Sequence, residues 1–136
     1  MTDRISRLQL VVIPTSDQDR SIAFYEQLGF EKRADFSGWA GDHRWIEMYP
    51  PDGKAGIAIT PGEGGIRTGI ILNTTEIDAT HADLQAVGLD VDATIAREGA
   101  GVEITIGSVV NDNPAPPMFY VRDPDGNSLL IVEAPN

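Results

Sequence analysis

The sequence predicts an α+β fold of two tandem βαβββ modules, because the front half of the chain recurs in the back half in the same order. Segment 16–30 corresponds to segment 75–89, and each reads as an amphipathic helix that comes after an apolar run and ends near a glycine. The tripeptide Pro-Asp-Gly at 51–53 recurs at 124–126, each time before an apolar strand. We expect the modules to form a mixed, curled sheet with a concave ligand cleft and with the helices on the convex face.

The first strand and the first helix are defined by an apolar run and by the polar residues after it. Segment 8–13 is almost wholly apolar, which predicts a buried strand that Pro14 ends. Ser16 or Asp17 then caps the helix, because short polar side chains accept hydrogen bonds from its unpaired N–H groups. Gly29 ends the helix, since glycine readily adopts the left-handed conformation after the last turn.

Three strands complete the first module. The predicted strands occupy 30–36, 45–49 and 57–59, and each contains the aromatic or β-branched residues that favour strands. The turn-rich stretch 37–42 separates the first two, and a Pro-Pro-Asp-Gly turn at 50–53 precedes the last.

The second module repeats this order after a glycine-rich linker. Its predicted elements are a strand at 68–72, a helix at 76–87 that ends at Gly88, and strands from Val91, at 117–122 and at 128–133. Segment 102–110 predicts an extended hairpin arm and segment 111–116 a mobile loop. These two segments lengthen the second module and offer a place for a lid or an interface.

Length and composition limit what the chain can be. Its 136 residues suit one domain, 1–136, composed of module 1–61, linker 62–65 and module 66–136. The absence of cysteine excludes disulfides, thiolate metal sites and cysteine nucleophiles. The first residues contain no apolar segment of signal-peptide length, and no apolar run is long enough to span a bilayer. We therefore expect a cytoplasmic protein without a membrane partner.

The chain is strongly acidic, with 10 Lys and Arg against 21 Asp and Glu and a formal net charge of −11. A negative field repels nucleic acid and anionic membranes and attracts cationic ligands. We therefore expect no nucleic-acid partner, and one interpretation is a small-molecule ligand that is cationic. The alternative interpretation is that the acidic surface only keeps the protein in solution.

Two motifs near opposite ends of the chain resemble the signatures of one superfamily. They are IPTSDQDRSIAFY at 13–25 with LGF at 28–30, and FYVRDPDGN at 119–127. In this order they resemble the vicinal oxygen chelate superfamily, which groups glyoxalase I, bleomycin-resistance proteins, extradiol dioxygenases and fosfomycin-resistance enzymes. The resemblance implies the paired βαβββ fold and a homodimer. It does not name a reaction, because this scaffold carries many chemistries.

Enzymes of this superfamily hold a divalent metal through the first and fourth strands of each module, and the resemblance locates those positions here. The His or Gln that stands seven residues before the Asp opening the first helix becomes Leu10, and the 59-residue repeat gives Gly69. The acidic ligand seven residues after the first Asp of Asp-Pro-Asp-Gly becomes Leu130, and its front-half counterpart is Ala58. None of these can coordinate a metal, and a one-residue shift supplies at most Gln9 and one hydroxyl. We therefore expect no cofactor, with a divalent metal as the alternative.

Three side chains are candidates for acid–base chemistry, namely Glu47, Tyr120 and His43. His43 is predicted to lie in the turn before the third strand, where it could act as a base because unperturbed histidine titrates near neutral pH. His43 and Glu47 could also form a displaced two-ligand metal site. The other histidine, His81, lies in the second predicted helix and is interpreted as a packing or surface residue.

Aromatic and acidic residues are predicted to line the cleft, and the alternative for Trp45 and Tyr120 is that they fill the core. Alternation along the third strand places Trp45, Glu47 and Tyr49 on one face, where the rings could stack on flat or cationic ligands. Glu47 is expected to face solvent or to pair with a cationic ligand, with Arg44 or with Arg122. Trp39 is predicted to stand at the rim of the cleft or on a lid. The residues predicted to line the cleft are Leu10, Val12, Trp39, Trp45, Glu47, Tyr49, Ala58, Gly69, Ile71, Met118, Tyr120, Arg122 and Leu130.

Three functions are compatible with this sequence. The first is a metal-free binder of a small molecule, of the antibiotic-sequestering bleomycin-resistance type, which needs no catalytic group. The second is a glyoxalase-like lyase or isomerase, or a dioxygenase, with non-standard metal ligands or with metal-free acid–base chemistry. The third is a module that binds a partner and whose cleft no longer serves a ligand.

Overall fold

The computed structural model describes residues 2–135 and contains two helices and ten strands within them. In chain order they are β1 (Leu10–Thr15), α1 (Gln18–Gln27), β2 (Glu31–Trp39), β3 (His43–Tyr49), β4 (Gly56–Pro61), β5 (Arg67–Thr74), α2 (Ile77–Ala86), β6 (Asp90–Val91), β7 (Ile104–Ile106), β8 (Val109–Asn111), β9 (Met118–Arg122) and β10 (Ser128–Glu133). This order confirms the α+β class with two tandem βαβββ modules, the second of which carries an inserted hairpin. Neither helix in this part of the chain is long and apolar enough to cross a membrane.

The first module forms a four-stranded sheet in the order β1-β4-β3-β2. β1 runs parallel to β4, whereas β3 is antiparallel to both β4 and β2. Parallel neighbours cannot be joined by a tight turn, so the chain passes through α1, β2 and β3 before β4 pairs with β1. α1 packs against β2 and β4 and buries Ile22 and Tyr25, so the core lies on this side of the sheet with Ile13, Ile46 and Ile59.

The second module forms a sheet in the order β5-β10-β9-β6, and β7 pairs with β8 in a separate hairpin. β5 and β10 are parallel, and β9 is antiparallel to β10 and to β6. α2 contacts β6 and β10, and its Ile77 is buried, as are Phe119 and Leu129 of the sheet. The chain divides into two compact units, Met1–Gly64 and Gly65–Asn136, and each has its own sheet, helix and core.

The same hydrogen-bonded junction joins strand to helix in both modules. In the first module, Thr15 Oγ1 lies 2.6 Å from Ser21 Oγ, and in the second module Thr74 Oγ1 lies 2.7 Å from Thr80 Oγ1. Each of these strand-end threonines also accepts a hydrogen bond from the backbone N–H two residues further on. The 59-residue repeat in the sequence therefore corresponds to a repeated local structure.

The DPDGN segment is a structural turn between β9 and β10. Asp123 Oδ1 accepts hydrogen bonds from two later backbone N–H groups, and Asn127 Nδ2 donates to Asp123 Oδ2 at 2.9 Å. Asn127 Oδ1 also accepts a hydrogen bond from the backbone N–H of Ile66 at 3.1 Å. Both polar side chains are buried, and the network ties this turn to the start of β5.

Two element boundaries differ from the sequence prediction for identifiable reasons. β1 continues through Pro14 to Thr15, whereas we expected Pro14 to end it. Proline is tolerated here because β1 is an edge strand of its sheet. The loop between β2 and β3 is also shorter than predicted, because the strand register already pairs Trp39 with His43. His43 is therefore the first residue of β3 and not part of a turn.

Candidate functional site

Alternate residues of β3 divide between the core and the opposite face of the first sheet. Ile46 and Met48 are fully buried, whereas Trp45, Glu47 and Tyr49 are only partly buried and point away from the core. The side-chain period of a strand explains this division. We call the face of the sheet that carries Trp45, Glu47 and Tyr49 the open face. It lies opposite the core side.

Hydrogen bonds join these three side chains across the open face. Trp45 Nε1 donates to Glu47 Oε2 at 2.7 Å, and Tyr49 OH donates to Glu47 Oε1 at 3.0 Å. Both oxygens of the Glu47 carboxylate therefore accept a hydrogen bond from a neutral aromatic group. These bonds offset the loss of water around the partly buried charge and fix the orientation of both rings.

The two arginines that were predicted alternatives for pairing with Glu47 have other partners. Arg44 donates to Asp35 through two nitrogens and to Asp19 through a third, each at 2.7 Å. Arg122 donates to two aspartates in and after β6, at 3.0 and 3.1 Å. The predicted pairing with Arg44 is therefore wrong, because Glu47 is held by uncharged donors and Arg44 by two aspartates. Arg122 is paired with aspartates of its own unit.

A cluster of aromatic rings lies at the β2–β3 end of the open face. The rings of Trp39 and Trp45 are 4.8 Å apart in an edge-to-face arrangement, and His43 lies 6.3 Å from Trp39. Phe36 pairs with Trp45 in the strand register and is 52% exposed, while Trp39 is 39% exposed. The sequence did not identify Phe36, because irregularities in β2 interrupt the alternation of its side chains.

A row of paired residues extends the open face across the rest of the sheet. Val12 pairs with Ala58, and Ala58 pairs with Glu47, so all three lie on one side. Leu10 stands two residues before Val12 and therefore shares that side. Val12 is 56% exposed, whereas Ala58 is fully buried by its neighbours. The structure thus brings the predicted first-module residues together, and their role in binding remains a prediction.

An open groove of about 800 Å³ lies in the first unit beside Glu47 and Tyr49. Its lining residues are Arg7, Leu8, Arg33, Glu47, Tyr49, Gly53, Lys54 and Ala55. The guanidinium carbon of Arg33 lies 5.0 Å from the centroid of the Tyr49 ring, within the range of a cation–π contact. Burial of the phenol, and secondarily its hydrogen bond to Glu47, raises the pKa of Tyr49, so its hydroxyl remains a donor at neutral pH.

In the second unit, Tyr120 and Arg122 occupy the positions in β9 that Glu47 and Tyr49 occupy in β3, counted from the Pro-Asp-Gly turns. Tyr120 OH donates to the backbone oxygen of Thr105 at 2.5 Å and so anchors the hairpin of β7 and β8. A groove of about 320 Å³ remains here, lined by Arg67, Asp92, Glu103, Ile104, Thr105, Tyr120, Arg122 and Ser128.

The predicted cleft residues Met118 and Leu130 lie in a buried cluster of the second unit. They are 7% and 3% exposed, and they share this cluster with Ala96 and Ile104. Ala96 precedes β7, and Ile104 is its first residue. The inserted segment therefore covers this part of the second sheet. The sequence could not show this, because a hairpin arm carries no local signal for the surface on which it folds.

The two predicted β5 residues lie at an irregular part of that strand. Gly69 has a φ of +73°, a left-handed conformation that glycine adopts without a steric penalty. Ile71 is 56% exposed and pairs with Leu130, just as Val12 pairs with Ala58 in the first sheet. This shared register shows that Leu130 and Ala58 are structurally equivalent positions.

The two histidines have different surroundings. His43 is exposed at the start of β3. His81 is 8% exposed, its Nε2 lies 2.6 Å from the backbone oxygen of Asp92, and its ring contacts Phe119. His81 is therefore a packing residue of the second unit. Within residues 2–135, no third His, Asp or Glu side chain joins His43 and Glu47 in a group that could hold a metal ion.

Comparison with known proteins identifies the family. A family model described as Glyoxalase/Bleomycin resistance protein/Dioxygenase superfamily matches residues 7–131. The chain belongs to this superfamily. Among solved structures, it is similar to TnmS3, an antibiotic binding protein from Streptomyces sp. CB03234, with 28% identity and a TM-score of 0.74 over 99% of this chain and 100% of that one.

Two further structures of the superfamily show the same fold. A member from Sphaerobacter thermophilus DSM 20745 is 24% identical, with a TM-score of 0.73 over 96% of this chain and 98% of that one. A glyoxalase/bleomycin resistance protein from Streptomyces sp. CB03234 is 27% identical, with a TM-score of 0.65 over 92% and 98% of the two chains. No curated protein matches the chain at a significant level.

The donor atoms of this chain do not fit the divalent metal that the superfamily implies. Leu10, Ala58, Gly69 and Leu130 carry no oxygen, nitrogen or sulfur in their side chains, and metal ligands require such atoms. Elsewhere in residues 2–135, no group of three His, Cys, Asp or Glu side chains is arranged to hold a metal ion.

Proposed function

We propose that this protein binds a small molecule with a flat aromatic part, and that it does so without a metal, like an antibiotic-sequestering member of its superfamily. The observation that carries the proposal is the exposed aromatic cluster of Phe36, Trp39 and Trp45, held in place beside Glu47. The similarity to TnmS3, an antibiotic binding protein, supports the same conclusion.

The open face has the properties that favour binding of a flat apolar ligand. Trp39 and Phe36 leave much of their rings in water, and Val12 is 56% exposed on the same face. Covering about 100 Å² of such surface contributes about 2.5 kcal/mol to binding. Ring stacking adds to this, and the fixed orientation of Trp45 lowers the entropic cost of forming the complex.

The candidate catalytic groups are engaged in ways that favour a binding role over catalysis. Both oxygens of Glu47 accept hydrogen bonds from aromatic side chains, and the Tyr120 hydroxyl donates to the backbone of Thr105. Sequestration requires no proton transfer, so these contacts are compatible with a binder. The lack of side-chain donor atoms at the four expected ligand positions supports a site that works without a metal.

The proposal extends to the setting in which the protein acts. We expect a homodimer from superfamily membership and a cytoplasmic location from the sequence. The net charge of −11 argues against a nucleic-acid partner. Size-exclusion chromatography with light scattering would measure the oligomeric state directly.

A thermal-shift screen and subsequent isothermal titration calorimetry test the proposed function. The panel contains flat aromatic natural products, cationic antibiotics and small 2-oxo compounds, with and without a chelator. We expect one or more aromatic compounds to raise the melting temperature and to bind equally well in the chelator. Turnover of a 2-oxo compound that requires added metal would favour the enzyme, and stabilisation by no compound would favour the partner-binding module.

A further inference from the structure

Three cationic side chains converge on the groove of the first unit. Arg7 comes from the N-terminal segment, Arg33 from β2 and Lys54 from the turn before β4. Within residues 2–135 none of the three forms an ion pair with a carboxylate, although acids outnumber bases by 21 to 10. By contrast, Lys32, Arg44, Arg97 and Arg122 each pair with an aspartate.

Arg33 is held in position without a carboxylate. Its guanidinium stacks over Tyr49, with 5.0 Å between the guanidinium carbon and the ring centroid. It also lies against Gly53, where a Cβ atom would stand only 2.9 Å from Arg33 Nη1. Gly53 also has a φ of +68°, so the turn both requires a glycine and leaves the space that the guanidinium fills. The donor edge of Arg33 is therefore ordered by stacking.

Arg7 and Lys54 line the same groove as Arg33. Arg7 Nη1 donates to the backbone oxygen of Lys54 at 3.2 Å, which brings the N-terminal segment against the β3–β4 turn. Glu47 is the one acid among the lining residues of this groove. Its two oxygens accept from Trp45 and Tyr49, and no ion pair joins it to any of the three cations. The groove is thus net positive in a chain of net charge −11.

In the corresponding groove of the second unit, the lining contains as many acidic as basic side chains. There Arg122 lies between Asp90 and Asp92, and both aspartate contacts are 3.0 to 3.1 Å long. Asp92 and Glu103 also line that groove. The two grooves occupy equivalent places in the repeated module, but they differ in charge. The lining of the second contains Arg67 and Arg122 with Asp92 and Glu103, and Arg67 donates to the backbone oxygen of Gly107. The lining of the first contains three cations and one acid.

We propose that the groove of the first unit binds an anionic group of the ligand, such as a carboxylate or a phenolate, among Arg7, Arg33 and Lys54. The aromatic part of the same ligand lies on the adjoining open face, so this inference rests on the proposed function. It replaces the interpretation, drawn from the net charge and from the aromatic and acidic residues, that the ligand is cationic. Guanidinium groups suit this role because they offer several N–H donors to oxygen anions.

Three probes that share one ring system and carry an anionic, a neutral or a cationic substituent test the inference. They are anthracenecarboxylate, anthracenemethanol and anthracenemethylamine, each titrated into the full chain by isothermal titration calorimetry. We expect the carboxylate to bind about tenfold more tightly than the alcohol, since charge-assisted hydrogen bonds are stronger than neutral ones. The ammonium probe should bind most weakly, and the preference for the carboxylate should fall as sodium chloride is raised.

Substitutions in the groove locate the effect. Arg33→Gln and Arg7→Gln should each weaken binding of the carboxylate about tenfold and leave the affinity for the alcohol unchanged. Arg20→Gln removes the same charge from α1, outside the groove, and serves as the matched control. Arg33→Lys should retain part of the affinity, because it keeps the charge and loses the planar donor edge. Melting temperatures of all variants show whether they are folded.

The outcomes separate this inference from the proposed function. If the carboxylate and the alcohol bind equally in the native chain and in Arg33→Gln, the aromatic site stands and the anionic subsite is overturned. If the ammonium probe binds best, the anionic subsite is likewise overturned. If none of the three probes binds the folded protein, the open face is not a site for flat aromatic ligands and both proposals fail.

Discussion

Trp45 Nε1 donates a hydrogen bond to Glu47 Oε2 at 2.7 Å, and both side chains belong to the open face of the first sheet. Tyr49 holds the other carboxylate oxygen at 3.0 Å. One acid therefore orients an indole and a phenol that a ligand on this face would contact. A site whose side chains are already fixed binds with a smaller loss of conformational entropy.

Replacing Glu47 with glutamine should weaken binding of an aromatic ligand. Glutamine keeps one acceptor oxygen for Trp45 Nε1 but offers Tyr49 OH an N–H donor, so Tyr49 must reverse its hydrogen bond and both bonds lose the carboxylate charge that strengthens them. We expect the affinity for anthracenemethanol to fall about tenfold in Glu47→Gln, measured by calorimetry. The control Glu63→Gln removes one negative charge at an exposed position outside the open face. Equal affinities of Glu47→Gln and the control would show that Glu47 does not organise the site.

Removing the ring of Trp39 should also weaken binding, because that ring is 39% exposed and packs on Trp45. We expect Trp39→Ala to lower the affinity for anthracenemethanol about tenfold, and Trp39→Phe to retain most of it. Val87→Ala removes a comparable exposed apolar side chain in the second unit, where Val87 is 55% exposed. If Trp39→Ala binds as well as Val87→Ala, the aromatic cluster is not part of the site.

The repeated strand–helix junctions should differ in their contribution to stability. Thr15→Val leaves the hydroxyl of Ser21 in a buried site without its 2.6 Å partner, and we expect a loss of about 1–3 kcal/mol in the free energy of unfolding. Thr74→Val should cost less than about 1 kcal/mol, because Thr80 Oγ1 still donates to Glu76 O. Urea unfolding monitored by circular dichroism measures both, and equal losses would contradict this interpretation.

The ion pairs of Asp35 should make stability depend on acidic pH. Hydrogen bonds from Arg44, and secondly from Lys32, hold the pKa of Asp35 well below its usual value. A lowered pKa stabilises the fold above the unfolded-state value near about 4, and this stabilisation is lost as the pH falls through the folded-state value. The stability difference between the native chain and Asp35→Asn should therefore be largest at neutral pH and shrink towards pH ~2. Urea unfolding at each pH measures it, with the exposed Asp3→Asn as control.

The elements of the fold were predictable because their signals are local. Helix caps, terminal glycines and apolar periodicity lie within a few residues of each element. Because the same signals recur in the second module, each predicted element is supported by its counterpart. Asp17 caps α1 by accepting a hydrogen bond from the backbone N–H of Arg20, as its sequence position predicts. Alternation along β3 likewise placed Trp45, Glu47 and Tyr49 together.

The groove could not be predicted because its residues are brought together by long-range contacts. Arg7 and Lys54 are 47 positions apart in the chain, and Arg33 joins them from β2, near an irregularity that interrupts the strand pattern. The burial of Leu130 has a similar origin, since residues from the inserted segment before and in β7 cover it. Net charge, in turn, describes the whole surface and does not report the local sign of one groove.

The metal content of protein purified without a chelator tests the central claim most directly. Inductively coupled plasma mass spectrometry should be applied to a sample that binds an aromatic ligand in calorimetry. A metal-free binder predicts well below about 0.1 equivalent of any transition metal per chain and the same affinity after treatment with a chelator. About one equivalent of tightly held Fe, Ni, Zn or Mn per chain, with binding lost on its removal, would contradict the account.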